Sequence, residues 1–375
     1  MRFKILHLSK YFPPFRGGIE AVVYELAEGF NDLGITTDIL CSNSIRKTEH
    51  EITATGYKVT RCASLFKLLS TSISPAYIYY TKKLSGKYDI IHVHMPDPMA
   101  AIALFLVRPR AKVVVHWHSD VINQKTALKF YEPLQNWLLK RADAIIVTSQ
   151  TYLDASEALA PWKFKATVIP IGITSLKRDN KNFEHPPIKK RFPNRKIIFA
   201  LGRMSKYKGF DVLIDAANLL IPEALIVIGG EGDLLETYRK DVMDKNLSDK
   251  VVFVGNVHDE DLVRFFDAAD VFCLPSLVRA EAFGVVLLES MAMGKPIVAT
   301  NILGSGVPWV NQHEITGLNV PVGDSKSLAA ALNRILTNDS LRNNLGSAAR
   351  ARFNAEFKAS KMVERTKNLY QSMWQ

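Results

Sequence analysis

The sequence predicts an α/β protein made of two doubly wound parallel-sheet domains. Three observations lead there. Short apolar runs alternate with amphipathic helical patterns along most of the chain, which is the signature of strand–helix–strand units. The runs are apolar at consecutive positions, as strands covered on both faces require. The alternation breaks once near the middle and then resumes, and 375 residues are too many for one ordinary core.

Taken in order, "FKILHLS" reads as a buried strand, "GGIEAVVYELAEGFNDLG" as an amphipathic helix stopped by Gly34, and "ITTDILCS" as the next strand. The strands "DIIHVHM", "AKVVVHWHS" and "AIIVTS" follow, separated by helical patterns such as "YEPLQNWLLKRA". Between 168 and 195 the pattern gives way to proline, asparagine and lysine, the composition of a linker. The second alternation contains the strands "KIIFALG", "ALIVIGG", "VVFVGNV", "VFCLPS" and "PIVAT", and the chain ends in helix over roughly 341–375. The expected division is therefore a first domain over 1–172, a linker over 173–195, a second domain over 196–355 and a terminal helix over 356–375 returning to the first domain. Ligands of such sheets bind beyond the carboxyl ends of the strands, so the expected site is a cleft between the two domains.

Composition narrows the function. A hydrophobic content of 47% with 23% charged residues is that of a soluble globular protein. The opening "MRFKILHLSKYFPPF" does not read as a signal peptide, because His7, Ser9 and Lys10 interrupt its apolar run. The apolar stretch 99–107 is far short of the roughly 20 residues that a spanning helix needs. Cys41, Cys62 and Cys273 have neither metal nor redox spacing, which fits a reducing cytosol. The net charge is +11, and it is uneven: 21 Lys/Arg face 14 Asp/Glu in 1–172 and 8 face 2 in 173–200, while the rest carries 19 against 21. Basic surface draws anions. With no nucleic-acid-binding motif present, anionic lipid and phosphorylated substrates are the expected partners, beside a plain solvated face.

The loops at strand ends carry the candidate chemistry. Gly17 and Gly18 in "FPPFRGGIE" stand at a helix start, where free N–H groups and the helix dipole favour an anion. In "FALGRMSKYKGFDVL", Arg203 follows a strand and Lys208 precedes a helix, a pair of cations suited to a diphosphate. In "VRAEAFGVVLLES", Glu281 lies in a loop and Glu289 early in the following helix, with the N–H groups of Phe283, Gly284 and Val285 between them. Carboxylates accept from vicinal hydroxyls and amides donate to phosphate, so this strip of acceptor, donors and acceptor matches a nucleotide sugar. "HVH" and "HWH" put His92 with His94, and His116 with His118, on common strand faces; backbone-bound core histidines and a His-rich metal site both stay open for them. "DED" at 259–261 has the spacing of a metal-binding acid pair, but it opens a helix, where acids are expected as caps.

These motifs together resemble the retaining glycosyltransferases of family 4, which have the GT-B fold of two Rossmann-like domains facing a central cleft. The resemblance rests on "EAFGVVLLE" followed by "SMAMGKPIVAT", with "GRMSKYKG", "GGEGD", "AADVFCLPS", "GLNVPVGD" and "PPFRGGIE", and it covers essentially the whole chain. It implies that Arg203 and Lys208 neutralise the departing nucleoside diphosphate, that Glu281 binds the transferred sugar and Glu289 the ribose, and that Gly17 and Gly18 lie under phosphate and sugar. It also implies a catalytic place for His118 near the donor sugar, with Asp120 beside it. Many members have a glycine-rich segment ending in proline-glutamate after the "PIVAT" strand; here "NILGSGVPWVNQHEITG" puts Trp309 near that glutamate's place, so contacts of 301–317 do not carry over.

The expected reaction is transfer of a hexose with retention, without metal or other cofactor and active in chelator. "HWHSD" and "PDPMA" are similar to mannosyl-type transferases of bacterial surface-polysaccharide assembly, which makes GDP-mannose the first donor expected and a UDP-hexose the second. The acceptor would be a lipid-diphosphate-linked saccharide. "YIYYTKK" (77–83) and the basic first half suit peripheral docking on the anionic inner face of the plasma membrane. Replacing Glu281 by alanine is expected to abolish transfer with the fold intact. Two other readings stay open: a nucleotide-sugar epimerase or phosphorylase on the same fold, and a non-catalytic nucleotide-sugar sensor.

Overall fold

The computed structural model describes residues 3–15, 17–68, 71–121, 125–175 and 187–374, the backbone alone for 125–130, 187 and 259. Arg16 and the part of the expected linker over 176–186 lie outside the described residues. The chain divides into two compact units, Met1–Thr174 with Ala359–Gln375, and Ser175–Lys358.

In the first unit the apolar runs form a sheet whose central strands bury every residue, since helices cover both faces. Its strands are β1 (Ile5–Ser9), β2 (Thr37–Ser42), β3 (Glu49–Ile52) and β4 (Lys58–Cys62). After a two-stranded hairpin, β5 (Phe66–Leu68) and β6 (Thr71–Ile73), come β7 (Ile90–Met95), β8 (Lys112–Trp117), β9 (Ala144–Val147) and β10 (Ala166–Val168). The order is β10-β9-β8-β7-β1-β2-β4-β3, parallel except for β3 on β4. The order therefore reverses between β1 and β7, and that reversal is where the carboxyl ends of a doubly wound sheet open.

The helix Gly18–Asp32 turns Val22, Val23, Leu26, Ala27 and Phe30 onto this sheet. It stops at Leu33, beyond which Gly34 takes the left-handed conformation that ends many helices. The helix Ala359–Ser372 packs beside it, with Tyr370 stacked on Phe30 (5.5 Å) and its edge on Phe3 (5.6 Å). The C-terminal segment is thus a structural part of the first unit. The helical stretch expected over roughly 341–375 is two helices, Asp339–Glu356 and Ala359–Ser372, and the latter joins the first unit.

The second unit holds β11 (Lys196–Leu201), β12 (Ala224–Gly229), β13 (Val251–Gly255), β14 (Val271–Leu274), β15 (Ile297–Thr300) and β16 (Gly317–Val320). All pair in parallel in the order β13-β12-β11-β14-β15-β16, with the reversal between β11 and β14. One core surrounds Ile198, Ile226, Ile228 and Val298, with Phe210, Leu213 and Leu332 packed on them from helices. No described helix is long and apolar enough to cross a membrane.

Candidate functional site

At the second sheet's reversal, the loop after β11 is clipped to the loop after β14. The clip starts at Gly209, whose φ of +68° favours glycine. A Cβ there would also lie 2.1 Å from the carbonyl oxygen of Pro275. The N–H of Leu277 donates to the carbonyl of Tyr207 (2.7 Å). Between these contacts sits Lys208, and its Nζ donates to Glu281 Oε2 at 2.6 Å. Ser276 Oγ donates to the same carboxylate oxygen (3.0 Å). Both charged side chains are only 11% exposed. Burial by itself pushes the Lys208 ammonium down, but the Glu281 carboxylate and the Tyr207 hydroxyl outweigh it and hold it above its usual range.

This pairing corrects one expectation. Glu281 is the partner of a buried lysine, so its replacement by alanine would strip Lys208 of compensation. Breaking a buried pair in this way costs about 3–5 kcal/mol, and the fold would not be indifferent to it.

The other predicted residues of this unit lie on the same carboxyl edge. Arg203 is exposed in the loop after β11, its Cγ 3.1 Å from where a Cβ on Gly232 would stand. The segment from Phe283 through Gly284 leads into the helix Val285–Ala292, with Gly284 at φ +77° and no side chain capping the helix start. Glu289 lies half-buried in its second turn. Sequence reasoning missed the residues that hold this strip from behind. Ser305 Oγ donates to the carbonyl of Glu281, and the Gly306 N–H donates to that of Ala282 (2.7 Å). Trp309 is a packing residue: it meets Phe283 at 6.2 Å and Phe357 at 5.8 Å, with the Arg352 guanidinium over its ring at 5.1 Å.

"DED" is also placed differently. The helix begins at Asp259 itself, after His258, with no side-chain hydrogen bond to its start. The cap position therefore belongs to His258, and Asp261 sits in the first turn, where an acid favours the dipole. Asp261 pairs with Arg264 at 3.2 Å, while the side chain of Asp259 lies outside the described residues.

In the first unit Gly17 precedes the helix and Gly18 is its first residue. Gly17 is extended (φ −178°), a conformation open to any residue, and a Cβ there would lie 2.3 Å from the movable end of the Glu20 side chain, Oε2. The Glu20 carboxylate thus folds back onto the very helix start expected to receive phosphate, a contact the sequence did not signal. Asp97 caps the helix Pro98–Val107 by accepting from Met99 N–H (3.1 Å), and complete burial raises its carboxyl to about 6.

The strand histidines bind one another, contrary to the backbone-bound reading. His7, His92, His94 and His116 are buried with His118 on one sheet face. Nδ1 of His7 meets Nε2 of His94 (3.1 Å), Nδ1 of His94 meets Nε2 of His118 (3.0 Å), and Nε2 of His92 meets Nδ1 of His116 (3.2 Å). Nδ1 of His92 bonds the Tyr370 hydroxyl. Burial lowers all five, His7 and His118 to about 3, so they are neutral at ordinary pH. His118 lies just past β8 and is 5% exposed. Asp120 is tied up by Trp117 Nε1 (2.9 Å) and Ser156 Oγ (2.8 Å), both donating to its Oδ1.

Comparison with known proteins shows the family and the fold. Residues 16–175 match the family described as Glycosyltransferase Family 4, and 181–352 match Glycosyl transferases group 1. The chain is 32% identical over 373 residues to the O-antigen chain mannosyltransferase C of Escherichia coli, covering 99% of this chain and 98% of that one. It is 31% identical to the D-rhamnosyltransferase WbpZ of Pseudomonas aeruginosa, covering 95% and 92%. Among solved structures, sucrose-phosphate synthase from Thermosynechococcus elongatus superposes with a TM-score of 0.82 at 23% identity, over 100% of this chain and 99% of that one. HepE from Anabaena, in complex with UDP and glucose, gives 0.80 at 20%, over 99% and 100%. Two parallel-sheet α/β domains, motifs at both carboxyl edges and relatedness along nearly the whole length make this chain a GT-B glycosyltransferase of group 1 and family 4.

Proposed function

We propose that the protein transfers a hexose, mannose from GDP-mannose, with retention at the anomeric carbon and without a metal, onto a lipid-diphosphate-linked glycan in cell-surface polysaccharide synthesis of the O-antigen type. The observation that carries the donor and pathway is its relatedness, over almost the full length of both chains, to a protein named as an O-antigen chain mannosyltransferase. The geometry supports the chemistry: the Lys208–Glu281 pair stands at the β11/β14 reversal beside the uncapped helix start.

In this reading Arg203 and Lys208, with the N–H groups of Phe283, Gly284 and Val285, take the diphosphate. Glu281 accepts from hydroxyls of the sugar, Glu289 from those of the ribose, and Gly17, Gly18 and His118 face the donor from the first unit. The sugar–phosphate C–O bond breaks while a new C–O bond forms to the acceptor oxygen on the same face. The acceptor's proton passes to the leaving phosphate oxygen, so no protein nucleophile is needed. Charge grows on the diphosphate, and preorganised donors there supply the main catalytic lever.

For the acceptor, the exposed Tyr79 (58%) with Lys82 and Lys83, and Phe66 (55%) on the hairpin, offer a basic, aromatic surface suited to anionic lipid. Cosedimentation with anionic vesicles at low salt is the expected result, and a protein that stays in the supernatant would remove this part.

The central test is a thermal-shift panel of GDP, UDP, ADP and dTDP in chelator, followed by transfer from GDP-mannose with the anomeric configuration read by NMR. GDP is expected to stabilise most and the product to keep the donor's configuration. A preference for UDP would turn the reading to a UDP-hexose donor, and binding without diphosphate release would turn it to a sensor.

A further inference from the structure

His7, His94 and His118 form one continuous hydrogen-bonded chain across β1, β7 and the end of β8. Each bond crosses to the next strand and advances toward the carboxyl edge, because the Cα partner of His7 is His92 and that of His94 is His116. Rings on the same strand lie closer, His92 on His94 at 4.5 Å and His116 on His118 at 4.1 Å, than the hydrogen-bonded rings, at 5.4 and 5.3 Å.

A neutral imidazole has one N–H and one lone pair, so the middle ring must pass on the polarity it receives. Two directions are therefore available to the chain. If His118 donates to His94 and His94 to His7, then His7 must carry its proton on Nε2. That atom is buried and has no hydrogen-bond partner among the described residues. An orphaned buried N–H is the less tolerable fault, since a strong donor loses its water with nothing in exchange. The opposite direction leaves only a lone pair at that atom. His7 Nδ1–H then donates to His94 Nε2, His94 Nδ1–H donates to His118 Nε2, and the proton of His118 stands on Nδ1.

We propose that His7 and His94 are positioning residues that lock His118 as its Nδ1–H tautomer, presenting a hydrogen-bond donor at the carboxyl edge of the first sheet. This deepens the proposed function and rests on it only for what meets that N–H, an oxygen lone pair of the bound donor. The tautomer itself is a property of the ligand-free chain. The trios His7–His92–His94 and His94–His116–His118 also have ring nitrogens within 4.8 Å of one another. A metal needs in-plane lone pairs converging on one point. Here the short contacts are filled by shared protons, and the stacked rings keep their lone pairs in separate planes.

The test is long-range 1H–15N correlation on the full chain labelled at histidine, at pH 7.5, with His118 assigned from His118→Asn. The expected pattern is a protonated Nδ1 and a lone-pair Nε2 for His118, and an unprotonated Nε2 for His7. In His7→Phe the head of the chain is lost and His118 should shift to a mixture of tautomers. In His7→Asn, whose side-chain amide can donate from the place of Nδ1, the wild-type pattern should return. A wild-type His118 protonated on Nε2 overturns the proposal without any variant having to fold. So does a His118 pattern unmoved in a folded His7→Phe, or one abolished by equimolar Zn2+. Failure of nucleotide binding with the tautomer intact would strike the proposed function alone.

Discussion

The two sheets share a doubly wound plan, yet they place polar groups at their carboxyl edges by opposite means. In the second unit a buried ammonium and a buried carboxylate compensate each other at 2.6 Å. At the histidine cluster of the first unit charge is avoided: the buried imidazoles stay neutral and hydrogen-bond one another. The difference teaches that a buried polar edge can be held by paired charge or by directed protons. The first arrangement is vulnerable to loss of a partner, the second to a change of pH.

Acid should break this comparison most strongly. Each of the five histidines has its folded pKa lowered, so below pH 6.5 the unfolded chain binds more protons than the folded one. Their stability contribution is fully present above about pH 6.5 and is lost as pH falls toward the folded values. Between pH 6.5 and 5.5 the loss is about 1 kcal/mol per histidine, roughly 5 in all. Asp97, raised to about 6, works in the opposite sense, but over that window it returns less than about 1 kcal/mol. Hydrogen exchange corrected for intrinsic rate should show β1, β7 and β8 losing protection at pH 5.5 while β11 and β14 keep theirs. Equal loss in both sheets would mean that the histidines are not held neutral.

The second edge should answer to substitution. Lys208→Met leaves Glu281 buried without its counter-charge, with an expected loss of about 3–5 kcal/mol; as a lost phosphate donor it should also lower transfer by about 10²–10³-fold. Adding Glu281→Leu should restore much of the stability and none of the activity. If denaturant unfolding shows the double variant as unstable as the single, the two charges are not coupled as the geometry requires. A smaller effect is expected from Gly209→Ala. The left-handed backbone alone costs about 1–2 kcal/mol for a residue with a Cβ, and the clash with the Pro275 carbonyl adds to it. Because Lys208 precedes this turn, nucleotide affinity should fall along with the melting temperature. A shift in melting with unchanged affinity would detach the turn from the site.

How much of this could be read beforehand depended on distance along the chain. The parallel sheets were legible because periodicity and apolar runs are local, as in "VVVHW" and "IIFAL". The strip from Glu281 to Glu289 was legible because a loop, a glycine and a helix follow one another there. The Lys208–Glu281 bond spans 73 residues, and nothing near either residue announces the other. The alternation in "HVH" and "HWH" shows a shared face, but the strand register sets which ring meets which, and His7 stands alone in "KILHLS". Glu20 hid because a first-turn glutamate usually serves the helix dipole, and its return onto Gly17 depends on the side-chain rotamer.

The finest test of the comparison is Ser276→Ala. Ser276 shares Glu281 Oε2 with Lys208, so it adds a neutral donor to an oxygen already compensated by a charge. If the second edge is held by charge, removing this hydroxyl should cost only what a hydrogen bond to a charged group contributes, about 1.5–3 kcal/mol and well below the Lys208 effect. The Glu281 carboxylate would keep its lysine and stay in place, so transfer should fall less than in Lys208→Met while the KM for donor rises modestly. Denaturant unfolding and steady-state kinetics on the same samples decide it. A loss in Ser276→Ala equal to that in Lys208→Met would mean that the second edge too depends on directed protons, and the contrast between the sheets would disappear.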